Sequence, residues 1–370
     1  MEISINTKVL SSALQKIMSV ASAKSFNAYA KAVRIFTDNN GNLKLSAYNG
    51  RLATVITLPV VLPTPLDLYA DASLFNDIVK ANVDVEVVTL DIGSNTLKFI
   101  AGRGKYNVAL LACDTPPDIQ TVSTKQQVRL SVENAQLIAD MYSIASKDDY
   151  LPKLTGVYLD MTGAPYAAAT DKYKLVMRKL QLDVEDCAGE SPLALTAILP
   201  KELQIILRQI TDEATVKINN DLISIQYADT YIVSSLIIEK YPDVLAVIPA
   251  AETFVANVPL KPLLSCIKKV AILSDKINEK VKIVANNTSL TFSTYDNSGN
   301  TAVDIIDIAE ETVVPDNTFT ISFNIGYLQD VLSIMKDEVV KVSFLAINKP
   351  ITITGDANDN TLALLTPMVN

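Results

Sequence analysis

The chain has 370 residues, 49% of them hydrophobic and 20% charged, and a net charge of −9. It contains no histidine, which excludes Ser-His-Asp and Cys-His catalysis and every histidine-ligated metal site. The three cysteines, Cys113, Cys187 and Cys266, are odd in number and far apart, so neither a disulfide framework nor a zinc cluster is expected.

The length predicts two or three domains. No apolar run approaches the roughly 18 residues of a membrane-crossing helix. The opening MEISINTKVLSSALQK lacks a basic-then-apolar leader, so a cytoplasmic protein is expected. An acidic chain does not attract nucleic acid in bulk, though local basic patches remain possible.

In chain order, Leu10, Leu14, Ile17 and Met18 share one face of a first helix. The β-rich run NLKLSAYNGRLATVITL follows, then a second helix carried by Leu74, Phe75, Ile78 and Val79. NTLKFIAGRGKYNVALL reads as a hairpin turning at GRGK, and the polar segment from Thr115 to Gln127 closes the unit. The series then returns. Leu137, Ile138, Met141, Ile144 and Ala145 mark a helix, PYAAATDKYKLVMRKLQL a β-rich run, and Leu203, Ile206, Leu207 and Ile210 a second helix. NDLISIQYADTYIVSSLI is its hairpin, turning at YADT. After a boundary near Tyr241 to Thr253 the series comes a third time. Its helices are Leu260, Leu263, Leu264, Ile267, Val270 and Tyr327, Leu328, Val331, Leu332, Met335. Its strand runs are TSLTFSTYDNSGNTAVDIIDI and NKPITITGDANDNTLALL.

Corresponding helices recur about every 125 residues. The expected fold class is α+β: three tandem two-helix, β-rich repeats, each of two βαβββ half-units. The expected domains are 1–122, 123–248 and 249–370. One helix on one face of four strands makes a two-layer core.

GRGK lacks phosphate-loop spacing. DNNGN, DNSGN and DANDN lack the terminal Glu and spacing of calcium loops, and read as turns.

This organisation resembles the bacterial sliding clamp, the β subunit of the DNA polymerase III holoenzyme, over the whole chain. Its local carriers are ATDKYKL, YPDVLAVIP, KKVAILSDK, FNIGYLQDVL and the terminal TPM, in family order. The resemblance implies a head-to-tail homodimer closed into a ring, with helices lining the hole, sheets outside, and duplex DNA passing through without sequence specificity. It implies a processivity factor that tethers a replicative polymerase and is served by a clamp loader. No cofactor, metal, membrane or catalytic residue is implied, and the protein is expected with the nucleoid.

Carried over by position, the partner-peptide cleft comprises Leu154, Thr170, Lys172, Tyr173, Lys174, Leu175, Pro242, Val247, Asn324, Tyr327, Pro350, Leu364, Pro367 and Met368. This is a small apolar cleft with polar edges, able to take the linear motifs of several clamp-binding proteins. The ring interface falls on Tyr106 and Val108 from the first repeat and Ile272 and Leu273 from the third. Edge strands meeting there would hide unpaired backbone groups. Lys16, Lys24, Lys80, Lys147, Lys201, Arg208, Lys268 and Lys269 are the candidate DNA contacts, on helices that also carry acidic residues.

The match is imperfect. The family often has T-D-G-H-R-L where this chain has TDKYKL, an Arg where Ala246 stands, and M-P-M-R-L where this chain ends TPMVN. The family's Arg-x-x-x-L-P-I-like segment after the first helix is not visible in SVASAKSFNAYAKAV. These departures mark a divergent member, of bacterial or phage origin. Two other readings stay open on residues alone. One is a repeat-built structural or assembly protein with no DNA-encircling role. The other is a hydrolase pairing Asp171 with Asp148 or Asp149.

Overall fold

The computed structural model describes residues 1–22, 25–113, 122, 126–186, 195–310, 312–355 and 360–368. The expectations for Lys24, Cys187, the residues 356–359 of DANDN and most of the Thr115–Gln127 boundary lie outside them.

The first repeat runs β1 (Glu2–Asn6), α1 (Thr7–Met18), a single turn α2 (Ala28–Lys31), β2 (Ala32–Thr37), β3 (Asn42–Tyr48), β4 (Leu52–Val61), β5 (Asp67–Asp71), α3 (Ala72–Ala81), β6 (Val87–Ile92), β7 (Thr96–Ala101) and β8 (Gly104–Ala109). The second runs β9 (Gln126–Leu130), α4 (Val132–Met141), β10 (Val157–Asp160), β11 (Tyr166–Thr170), β12 (Lys174–Lys179), β13 (Asp183–Asp186), β14 (Thr196–Leu199), α5 (Leu203–Arg208), β15 (Ala214–Ile218), β16 (Leu222–Tyr227) and β17 (Thr230–Ser235). The third runs β18 (Phe254–Pro259), α6 (Leu260–Ala271), β19 (Lys280–Ala285), β20 (Ser289–Tyr295), β21 (Thr301–Asp307), β22 (Phe319–Asn324), α7 (Ile325–Ile334), β23 (Val339–Phe344), β24 (Ile351–Thr354) and β25 (Thr361–Leu365). Apart from α2 and β13, this is the βαβββ half-unit six times over.

At α1, α3 and α7 strand passes to helix without a loop, and the last strand residue caps the helix. Asn6 accepts from the amides of Lys8 and Val9 at 3.0 and 3.3 Å. Asp71 accepts from Leu74 N at 2.8 Å and Asn324 from Tyr327 N at 3.0 Å. Each cap satisfies helix amides that have no intrahelical partner. The apolar stripes are buried as the spacing predicts: Leu10, Leu14 and Ile17 on α1, and Leu263, Ile267 and Val270 on α6.

The chain divides into two compact units. The first holds a four-stranded sheet, β1-β6-β7-β8, and a nine-stranded sheet, β13-β9-β15-β16-β17-β4-β3-β2-β5. Helices α1 and α3 pack together in it. The second holds an eight-stranded sheet, β14-β10-β11-β12-β25-β24-β23-β18, and a four-stranded sheet, β21-β20-β19-β22, with α6 against α7. The second repeat therefore gives strands to both large sheets. Its β17 pairs β4 of the first repeat, and its β12 pairs β25 of the third.

The turns bear out their sequence chemistry. Gly41 in DNNGN, Gly102 in GRGK and Gly299 in DNSGN all have positive φ. Among the described residues, no helix is long and apolar enough to cross a membrane, and no group of three or more Cys, Asp or Glu side chains could hold a metal ion.

Candidate functional site

The site is built on the turn between β11 and β12. Asp171 Oδ1 accepts from the amides of Tyr173 and Lys174, each at 2.9 Å. The Thr170 hydroxyl donates to Lys174 O at 2.7 Å. Lys172, standing where the resemblance places a glycine, has φ 84°. A side chain there is strained, and the surrounding hydrogen bonds hold it. The turn raises Tyr173 to 55% exposure, and its ring stacks on Tyr327 of α7, centroids 5.6 Å apart and planes 15° apart. Tyr173 O accepts from both the amide and the hydroxyl of Thr366, at 2.9 Å each, which ties the end of the chain to the turn.

Two compartments make up the region. One is a filled, buried apolar cluster of Leu154, Ala168, Leu175, Met177, Ile198, Tyr241, Val244 and Leu364. Tyr158 and Tyr241 stack at its margin, 4.7 Å apart and nearly parallel. The hydroxyls of Tyr158 and Tyr166 both donate to Asp160 Oδ2, at 3.2 and 3.1 Å. Burial, together with this carboxylate, pushes both phenols up. Burial alone would raise Asp160, but donation from Thr162, Tyr166 and Tyr158 outweighs it and holds the carboxyl below its usual value.

The other compartment is a cleft of about 460 Å³ whose lining includes Lys147, Asp148, Leu151, Asp171, Lys172, Tyr173, Lys174, Glu279, Tyr327 and Asp330. Lys174 is its electrostatic centre. Its ammonium is buried, bonded to Asp330, 3.4 Å from Asp171 Oδ2 and 4.9 Å from the Tyr327 ring centroid. A cleft of alternating charges with an aromatic stack on its wall suits the polar and aromatic groups of an extended peptide, and Leu151, which lines it, also packs on the buried cluster that supports the site.

The structure brings together most of the expected cleft. Leu154, Leu175 and Leu364 share the apolar cluster, and Lys172, Tyr173, Lys174 and Tyr327 line the polar cleft. Thr170 fixes the turn, and Asn324 caps α7 while approaching Glu279 at 3.4 Å. Pro242 and Val247 are exposed, and Pro350, Pro367 and Met368 half-buried; none lines either compartment. Asp148 and Asp171 do meet in the cleft, but each has an oxygen held by turn amides. Sequence reasoning missed Tyr241, Val244 and Asp330. Asp330 was within reach of it, since it lies three residues after Tyr327 on the same helical face.

The expected cationic residues fall into groups. Lys80, Arg208 and Lys268 are exposed on α3, α5 and α6. Lys147 lines the cleft instead. Lys201 lies 3.6 Å from Asp149, both largely exposed. Lys16 and Lys269 are held by Asp229 and Asp304. Exposed Lys8 and Lys261, second residues of α1 and α6, were missed, although aligning the repeats puts them at one position.

Of the expected interface residues, Ile272 is 73% exposed at the end of α6 and Leu273 half-buried. Tyr106 is 38% exposed, its hydroxyl donating to Asn82 at 3.2 Å. Val108 is fully buried, because alternation along β8 turns it into its own core.

A larger groove of about 950 Å³ lies in the first unit, lined by Arg34, Phe36, Lys44, Val55 and Tyr231 among others. Its cations are already engaged. Arg34 makes two 2.8 Å bonds to Asp67, and Lys44 lies 3.0 Å from Asp38. The smaller cleft, by contrast, carries the Tyr173–Tyr327 stack on its wall.

Comparison with known structures defines the class. The chain has the fold of DNA polymerase sliding clamps. It superposes on the Bacillus subtilis clamp with a TM-score of 0.90 at 17% identity, covering 100% of this chain and 99% of that one. On the DNA polymerase beta subunit of Streptococcus pyogenes the TM-score is 0.90 at 20% identity, with both chains fully covered. In sequence it is 24% identical to the beta sliding clamp of Rickettsia bellii over 385 aligned residues, covering 100% of this chain and 99% of that protein. Residues 124–243 match the family model of the DNA polymerase III beta subunit central domain, and residues 245–369 that of its C-terminal domain. The two models cover about two thirds of the chain, which belongs to the DNA polymerase III beta subunit family.

Proposed function

We propose that this DNA polymerase processivity factor works as a head-to-tail homodimeric ring closed around duplex DNA, and that the cleft beside Tyr173 docks short peptides of its polymerase and clamp loader. The observation that carries the docking site is the Tyr173–Tyr327 stack on the wall of the charged cleft. Other proteins with clamp-binding motifs would use the same cleft. The full peptide contact set is Leu154, Thr170, Lys172–Leu175, Pro242, Val247, Asn324, Tyr327, Pro350, Leu364, Pro367 and Met368, the outer members closing on the peptide's flanks.

Two free sheet edges support the ring. β8 ends one four-stranded sheet and β21 ends the other. β8 and its turn expose Arg103, Lys105 and Tyr106, while β21 exposes Val303, Ile305 and Asp307. One edge is basic and the other acidic and apolar, so β8 of one copy pairs with β21 of the next, beside Ile272. Strand addition hides backbone groups that an exposed edge leaves open to aggregation. A head-to-tail contact closes when the rotation per copy is right.

The three repeats act as domains 1–122, 123–248 and 249–370. Helices face the DNA through Lys80, Arg208 and Lys268, joined by Lys8 and Lys261. Tethering needs enclosure rather than chemistry, so the chain is no enzyme. Its place is in the cytoplasm, on replicating DNA.

Negative-stain electron microscopy tests this reading. Closed rings of two 40.1 kDa chains are expected, and Ile272→Lys should open them to crescents. Compact particles with neither ring nor crescent would refute it, leaving a shared fold in another use.

A further inference from the structure

Helices α1 and α6 hold the same place in the first and third repeats, and their lysines coincide: Lys8 with Lys261, Lys16 with Lys269. In both helices the later lysine is bound to an aspartate of its own unit. Lys16 Nζ lies 2.9 Å from Asp229 Oδ1 and 2.8 Å from Thr230 Oγ1. The Thr230 hydroxyl also lies 2.9 Å from Asp229 Oδ1, and the ammonium sits 5.2 Å from the Tyr227 ring centroid. Lys269 Nζ lies 3.0 Å from Asp304 Oδ2.

The two aspartates do not occupy matching positions. Asp229 sits in the turn between β16 and β17, and Asp304 within β21. The same arrangement is thus built twice from different strands. Burial would raise the Asp229 carboxyl, yet Lys16 and Thr230 bring it below its usual value, and Lys269 lowers Asp304. Both carboxylates are charged at neutral pH; the Lys16 ammonium is mostly covered, whereas Lys269 is 65% exposed and its pair is the weaker of the two.

We propose that Asp229 and Asp304 are positioning residues that withhold Lys16 and Lys269 from DNA phosphates, so that the duplex is held by enclosure with few cationic contacts. This rests on the DNA-encircling reading. Each lysine reaching a phosphate steepens the fall of log K with log salt by about 0.9, and a lysine held by a carboxylate adds nothing to that slope. A phosphate must first displace a short ion pair, and for Lys16 a hydroxyl as well.

The test is fluorescence anisotropy of the full chain on a short labelled duplex, between about 50 and 200 mM salt. The variants are Asp229→Asn, Asp304→Asn, both together, and Asp229→Asn with Lys16→Ala. Asp77→Asn is the control; it removes an exposed carboxylate of α3 that holds no lysine. Asp304 lies on the proposed ring edge, so sedimentation checks that its variant still dimerises. Each released lysine should tighten binding at low salt and add about a threefold loss across that range. Adding Lys16→Ala should restore the wild-type slope, and Asp77→Asn should leave it unchanged.

Wild-type slopes in the Asn variants would overturn the proposal. So would a gain that survives Lys16→Ala, because general charge removal would then explain it. Negative-stain microscopy of the wild-type protein separates the two levels. If closed rings or crescents form while the slopes stay unchanged, only the lysine proposal falls. If neither forms, the encircling reading falls too.

Discussion

Lys174→Met removes the ammonium that one buried side chain places between two carboxylates. Asp171 Oδ2 is 3.4 Å from Lys174 Nζ, and Asp330 is bonded to it. Without it, two negative charges no more than about 6 Å apart face each other, which costs about 3 kcal/mol at an effective dielectric near 20. Asp330 is 43% exposed and can turn towards water, so screening reduces the net loss to about 1.5 kcal/mol. Methionine keeps most of the stem's packing, so the effect is chiefly electrostatic. The assay is urea unfolding followed by circular dichroism. A multi-domain chain need not unfold in one step, so the midpoint of the transition is compared rather than an extrapolated free energy. For urea slopes of about 1–3 kcal/mol/M, the midpoint should fall by roughly 0.5–1.5 M. Adding Asp330→Asn should recover at least half of that. A single-variant midpoint within about 0.2 M of wild type, or a double variant no better than the single, would refute the argument.

Three further outcomes follow from named contacts. Lys172→Gly relieves a left-handed backbone and should change stability by between zero and about +1 kcal/mol, relief outweighing the extra freedom of glycine in the unfolded chain; a loss in thermal unfolding would mean the Lys172 side chain makes a contact that matters. Burial, with Asp304 adding to it, pushes the Cys266 thiol up to about 12. Mass spectrometry after iodoacetamide treatment near pH 8 should therefore find Cys266 unmodified until urea is added. Asp160 has its carboxyl lowered in the fold, so its contribution is present above the unfolded value and lost as pH falls through the folded one. The loss of urea midpoint between neutral pH and about pH 3 should be smaller in Asp160→Asn.

The repeat was legible because it is written in local periodicity. Leu10, Leu14 and Ile17 on α1 recur as Leu263, Ile267 and Val270 on α6, and the structure buries all six. Small misreadings at helix ends have a physical cause. Ile144 and Ile210 lie beyond α4 and α5, yet both are buried. Turn bonds from Ile144 N to Met141 O and from Ile210 N to Leu207 O continue the spiral past the last helical bond. The site was legible where residues are neighbours in sequence, as in Thr170 to Leu175, and only because a known family supplied the pattern. Its long-range ties were not. Lys174 meets Asp330 across 156 residues, and Lys16 meets Asp229 across 213, and nothing local marks either pair. Val108 shows the same limit. Its place on an edge strand could be expected, but alternation turned its side chain inward.

The repeats are also welded to one another. β4 and β17 share a ladder of five residue pairs, as do β12 and β25, so each junction between successive repeats is sewn through the backbone. Such a seam must shear several hydrogen bonds at once before it parts. β8 and β21 each pair with a strand of their own sheet on one side only. In the proposed ring the joint between copies would be the weaker one. It would fall where the terminal strands β8 and β21 meet, and could part without unfolding either chain.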